Sequence, residues 1–157
     1  MGGNGQAIVE HGISTDILSS EYVAGFFDGE GCIRVLGGDK TGYVGIHLFI
    51  TNTYKPILEL LKTKYGGSVL LRTIATDKHK TCYQWRLSSK SEIRGFILDV
   101  IDHSIEKKLQ LQLGLQYCNL PTLTVNRYSK YYQEVLELQS VRKQIALELK
   151  QLKRQTI

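Results

Sequence analysis

The sequence predicts an α+β domain in which an antiparallel sheet carries its helices on one face, in the order α-β-β-α-β-β-α-α. Two pairs of segments alternate apolar and polar residues: 32–36 with 43–51, and 68–74 with 81–87. Each pair encloses a polar or glycine-rich connection. A helical stretch with its own start and stop signals precedes each pair and follows the second.

The first helix starts near Ser19 or Ser20, either of which can cap it, with Glu21 at the positive end of the dipole, and runs to about Phe27. The strand at 32–36 follows, then the turn cluster 37–42, then the strand at 43–51. Pro56 opens the second helix and Gly66-Gly67 ends it. The second strand pair flanks a polar loop at 75–80. Ser91 caps a long helical stretch from 92 to about 118, with Asp102-His103-Ser104 as the place where it would break. Leu120-Pro121 closes it, and a last helix covers about 130–152.

At 157 residues the chain suffices for one self-supporting core. We expect a loose arm over 1–13 and a single domain over 14–157, its core about 18–118 and a helical extension about 119–157. The glycine-rich start lacks a signal-peptide pattern, and no apolar run is long enough to span a bilayer. A soluble protein in a cytoplasm, nucleoid or organelle interior is therefore expected, with no membrane partner. Cys32, Cys82 and Cys118 are widely spaced and lack a CxxC pair, which suits a reducing compartment and neither a disulfide framework nor zinc. The net charge of +5 is compatible with nucleic acid but does not select it.

Alternation sorts each strand into two faces. Ile33 and Val35, then Val44, Ile46, Leu48 and Ile50, then Tyr83, Trp85 and Leu87 form the apolar set that must cover the helices. The opposite face gathers Arg34, Leu36, Tyr43, His47, Phe49, Arg72, Gln84 and Arg86, with Lys78, His79 and Lys80 on the loop beside it. Arginine and glutamine read guanine and adenine edges bidentately, and a β-ribbon fits the major groove.

The most informative stretch is 22–31, YVAGFFDGEG. Ala24 and Gly25 leave one side of an apolar helix nearly bare, so that another backbone can approach closely. The run then stops on Asp28-Gly29-Glu30-Gly31, a place where a cation could collect. This segment resembles the signature of the LAGLIDADG homing endonucleases, matching it as Val-Ala-Gly-Phe-Phe-Asp-Gly-Glu-Gly. The element order also matches that core, over about residues 18–118.

The resemblance implies a homodimer whose motif helices pack together, with Val23, Ala24, Gly25, Phe27 and Asp28 at the seam. It implies magnesium held by Glu30, with the Gly29 carbonyl as a second ligand; manganese is expected to substitute and calcium to bind without supporting cleavage. The family usually has Asp where this chain has Glu30. Asp28 is expected to brace the helix end, and Asn52 matches a polar residue that orders active-site water. A basic residue near the scissile phosphate is expected from 105–110, where apolar spacing favours Lys108 and the Lys-x-x-Gln pattern favours Lys107. The face carrying Arg34, Leu36, Tyr43, His47, Arg72, Gln84 and Arg86 becomes a saddle in the major groove, with Lys78 and Lys80 on phosphates.

The implied activity is site-specific cleavage of double-stranded DNA at a long, nearly palindromic target, leaving 3′ overhangs and promoting intron mobility. The alternative is an RNA maturase with intron RNA as its partner, with or without residual cleavage. A transcription regulator on the same fold would need an added helix-turn-helix segment, for which no stretch of suitable length is left.

Overall fold

The computed structural model describes residues 17–37, 44–121 and 132–155. The expected arm at 1–13, Tyr43 and the turn at 38–42 lie outside the described residues. The elements are α1 (Ser20–Glu30), β1 (Gly31–Gly37), β2 (Val44–Asn52), α2 (Lys55–Tyr65), β3 (Ser68–Thr73), β4 (Cys82–Leu87), α3 (Lys90–Val100), α4 (Lys108–Cys118) and α5 (Tyr132–Gln155). The sheet is antiparallel in the order β1-β2-β4-β3. This is the expected α+β arrangement with one more helix, because the break near Asp102 does occur.

Three local departures have physical causes. The first helix does not stop at Phe27 but continues through Gly29 to Glu30, so the motif's carboxylates belong to its last turn. Ser89, not Ser91, caps α3 by accepting from the Glu92 N–H at 3.2 Å. The stretch expected as one long helix divides into α3 and α4 because residues 104–107 fold around the Asp28 side chain.

The apolar strand faces meet the helices as alternation requires. Ile33, Ile46, Leu48, Ile50, Trp85 and Leu87 pack with Val23, Phe27, Leu58, Leu61, Phe96 and Ile97 in one continuous core. Trp85, Phe96, Tyr65 and Phe27 form its aromatic centre, with ring centroids 4.9 to 6.1 Å apart. The Trp85 indole donates to the Gly66 carbonyl at 2.9 Å, so its polar atom is satisfied. Gly66 and Gly67 take φ values of 86° and 82°, which only glycine adopts without strain, and this lets α2 turn directly into β3. Gly114 lets α4 sit directly on β1: a Cβ there would meet Ile33 at 3.0 Å and Ile97 at 3.1 Å.

The last helix, beyond the range of the motif resemblance, joins this core. Ile145 and Leu149 of α5 are buried, and α5 packs along β1 and α4. The Lys153 ammonium donates to the Ile33 carbonyl at 2.6 Å. Among the described residues no helix is long and apolar enough to cross a membrane.

Candidate active site and nucleic-acid interface

The last turn of α1 poses an electrostatic problem. A helix C-terminus is the negative end of its dipole, yet this one carries Asp28 and Glu30 and no basic residue of its own. The two carboxylates are handled differently. Asp28 turns towards the start of α4, where its oxygens accept from the Ser104 hydroxyl at 2.5 Å and from the backbone N–H groups of Ile105, Glu106 and Lys107 at 2.8 to 3.1 Å. Burial alone would raise its pKa, but these donors outweigh it and hold the carboxyl below its ordinary value. Asp28 therefore docks the start of α4 onto the end of α1.

Glu30 is left exposed at the tip, with no hydrogen bond or ion pair to any described residue. At the same helix end, Lys107 sends its ammonium back across the Phe27 ring to the carbonyl oxygens of Phe27 at 3.2 Å and Gly31 at 2.7 Å. Of the two lysines left open by the sequence, Lys107 reaches the end of α1. Lys108 begins the next helix and has no such contact. Gly31 is required here because a Cβ would run into the Phe27 ring.

A divalent metal suits this donor set. Glu30 offers a free carboxylate at a negative helix pole, and magnesium favours few carboxylates completed by water and phosphate oxygens. Among the described residues, no three His, Cys, Asp or Glu side chains converge.

The outward side of α1 differs from the expected seam. Val23, Ala24 and Phe27 are buried in the chain's own core, and Asp28 is engaged with α4. The open side consists of Tyr22, Gly25, Phe26 and Gly29, spaced by helical turns. Tyr22 and Phe26 stack at 6.2 Å, and nothing lies within 4 Å of a Cβ built on Gly25 or Gly29. Ala24 and Phe27 share a side with Val23, while Gly25 pairs with Gly29. Asn52 lies against this side, lining a groove of about 290 Å³ with Tyr22, Phe26 and Tyr54. Its carboxamide oxygen accepts from the Tyr54 N–H at 2.8 Å and so shapes the entry to α2.

The register places Arg34 opposite His47, and Phe49 opposite Arg86, on the polar sheet face. Arg34 is exposed, with its guanidinium 5.8 Å from the Phe49 ring centre. Leu36 is half-buried on the same face. His47 lies between two arginines: burial first, then the charges of Arg86 and Arg34, lower its pKa. Its Nδ1 has no partner among the described residues. Arg72 is exposed at a bulge in β3, where alternation no longer fixes its face. Lys78 and Lys80 are exposed on a loop closed by paired Thr76 and His79 backbone bonds.

Gln84 departs from expectation. It is only 4% exposed, with its oxygen accepting from Arg86 Nη2 at 2.8 Å and Nε at 3.2 Å and its nitrogen donating to Thr51 at 3.3 Å. An amide held this way orients the Arg86 guanidinium.

This arrangement of an antiparallel sheet with helices behind it has counterparts among solved structures. The homing endonuclease I-CvuI, in complex with its target and calcium, superimposes with a TM-score of 0.62 over 85% of this chain and 80% of that one, at 17% identity. The fold is that of the LAGLIDADG homing endonucleases. The archaeal intron-encoded I-Vdi141I, complexed with DNA, shares this LAGLIDADG fold with a TM-score of 0.52, 17% identity and 82% and 96% coverage of the two chains. The LAGLIDADG enzyme I-GzeII, in complex with its DNA target, gives 0.56 and 21% over 79% of this chain but 43% of its own. No family model and no curated protein matches the sequence.

Proposed function

We propose that this protein is a site-specific, metal-dependent DNA endonuclease of the homing type, acting as a homodimer through the open side of α1. One observation carries the reading: a carboxylate unpaired among the described residues at a negative helix pole, with a lysine ammonium seated on the Phe27 and Gly31 carbonyls of the same helix end. Two copies meeting at Tyr22, Gly25, Phe26 and Gly29 would bring two Glu30 carboxylates together. The glycines allow the close approach this needs.

In this reading Glu30 and the Gly29 carbonyl hold the metal, magnesium by preference, with manganese able to replace it and calcium binding without cleavage. The bound ion supplies charge neutralisation at the phosphate and acidifies water. Lys107 places positive charge beside the scissile phosphate, and Asn52 orients water from the groove along α1. Arg34, His47 and Arg86 lie in the major groove with Arg72 at the rim, while Lys78 and Lys80 contact phosphates. Dimer symmetry then calls for a nearly palindromic target cut across one minor groove, leaving 3′ overhangs, in the manner that mobilises introns. The named relatives are DNA complexes, which favours DNA over RNA as partner. A reducing compartment such as a cytoplasm, nucleoid or organelle interior suits its free cysteines.

The test is cleavage of a plasmid library of candidate sites with magnesium, manganese, calcium or chelator, using wild type and Glu30→Gln. Metal-dependent double-strand breaks lost in the variant are expected. Undiminished cutting by Glu30→Gln, or in chelator, would overturn the site assignment.

A further inference from the structure

Two neighbouring rows of side chains on the polar sheet face are tied together by hydrogen bonds. Thr51, Gln84 and Leu70 stand opposite one another on β2, β4 and β3, and Phe49, Arg86 and Ser68 form the next row. Directly opposed residues in an antiparallel sheet share a face, as do residues two apart on one strand. Gln84 sits between these neighbours and is nearly buried. A guanidinium has donors alone, so the Gln84 carboxamide must turn its oxygen to Arg86, where it accepts from Nε and Nη2. The amide nitrogen then needs an acceptor of its own. Leu70 offers none, and the Thr51 hydroxyl takes the bond at 3.3 Å.

The consequence falls on Arg86. Its Nε–Nη2 edge is taken by one oxygen, while its Nη1–Nη2 edge, a second pair of parallel donors, has no hydrogen bond among the described residues. Such a pair matches the O6 and N7 acceptors of guanine, and a guanidinium already fixed in orientation loses less freedom on binding than a loose one. Adenine sets a donor beside N7, which a guanidinium cannot meet. We propose that Thr51 is a positioning residue for base recognition: by holding the Gln84 amide, it presets Arg86 to read one guanine in each half-site. The inference rests on the proposed DNA reading of this sheet face but not on the metal or the cleavage chemistry. A tether serving stability alone would change the melting temperature and leave base identity untouched.

The experiment selects bound duplexes from a library with a randomised half-site, in chelator so that cleavage plays no part, and sequences them. Wild type should require guanine at one position, and Arg86→Ala should lose that preference by about 10- to 100-fold. Thr51→Val keeps the shape and removes the acceptor, so it should lose at least about fivefold at the same position, and Thr51→Ser should restore it. Thr51→Ala gives the same comparison should Thr51→Val melt early. In a Gln84→Ala background, Thr51→Val should add nothing. A guanine analogue that lacks N7 should weaken binding of wild type and leave Arg86→Ala unaffected. A wild-type profile in Thr51→Val, a shift confined to other positions, or Thr51→Ser as relaxed as Thr51→Val would overturn the proposal. So would a base other than guanine at the position that depends on Arg86. Cleavage of the selected site in magnesium is scored separately: its absence would overturn the endonuclease reading and leave this result standing, whereas a wild type that selects no sequence would overturn both.

Discussion

The Lys107 ammonium lies 2.7 Å from the Gly31 carbonyl oxygen, closing the negative end of α1 with a cation borrowed from the start of α4. The contact joins residues far apart in sequence at the one point where the sheet, the motif helix and the α3–α4 break meet. Lys107→Met should reduce cleavage by about 10²–10³-fold, the scale of losing one charge stabiliser in an active site. Lys108→Met should stay within a few-fold of wild type. Single-turnover rates on one cleavable site compare them, and equal losses would remove the distinction drawn between the two lysines.

Glu30→Gln should abolish cleavage while leaving DNA affinity within about tenfold, since phosphate contacts elsewhere dominate binding. Gel-shift titration and a nicking assay on the same preparation read both quantities. A fall in affinity matching the fall in rate would make Glu30 a binding residue instead.

Gly25→Ala separates packing within the chain from packing between copies. Nothing lies near a Cβ there, so the substitution should stabilise the isolated chain by up to about 1 kcal/mol through helix propensity. The same methyl should weaken self-association, and Gly25→Leu should prevent it. Sedimentation at several concentrations, beside thermal melts, shows whether the two effects carry opposite signs. A wild type that remains monomeric at micromolar concentration with and without DNA would count against the dimer.

Asp28→Asn should cost about 1.5–3 kcal/mol, because charge-assisted bonds to the start of α4 are replaced by weaker ones. The sign of its pH dependence follows from the lowered folded pKa. The carboxylate's contribution is complete above its ordinary value of 3.8 and is lost as pH falls through the lower folded value. Denaturant titrations of both proteins should therefore differ most near neutral pH and converge below about pH 3.8.

Arg34→Ala and Arg86→Ala should each relax base preference at a few positions of a half-site, at roughly 1–3 kcal/mol per bidentate contact. Gln84→Ala should blur the same positions as Arg86→Ala and add little to it, because Gln84 acts by holding that guanidinium. Profiling a randomised half-site library with the single and double variants decides this. A distinct set of positions for Gln84 would return it to direct reading.

The order of elements and the sorting of the strands were legible because both depend on local periodicity. Arg34, His47 and Arg86 share the face that alternation assigns them. What the sequence withheld depends on contacts between distant segments. That Lys107 and not Lys108 reaches the end of α1 turns on where the α3–α4 break falls, and that break follows from Asp28, far back in the chain. The bare side of α1 was placed one position off because Ala24 looks like a seam residue by size alone, whereas its burial follows from α3 and the sheet. Gln84 looked like a base reader by residue type, and only its neighbours Thr51 and Arg86 show it occupied.

Lys153 has a further consequence, since β1 and β3 are the outer strands of the sheet. An unpaired outer strand presents main-chain groups that can template pairing with another chain. Along β1, α5 lies over that border and Lys153 occupies the Ile33 carbonyl. Cutting the chain back to its motif-bearing core would remove this cover. A shortened protein should then form aggregates through strand addition at β1, which makes the last helix a guard against misassembly.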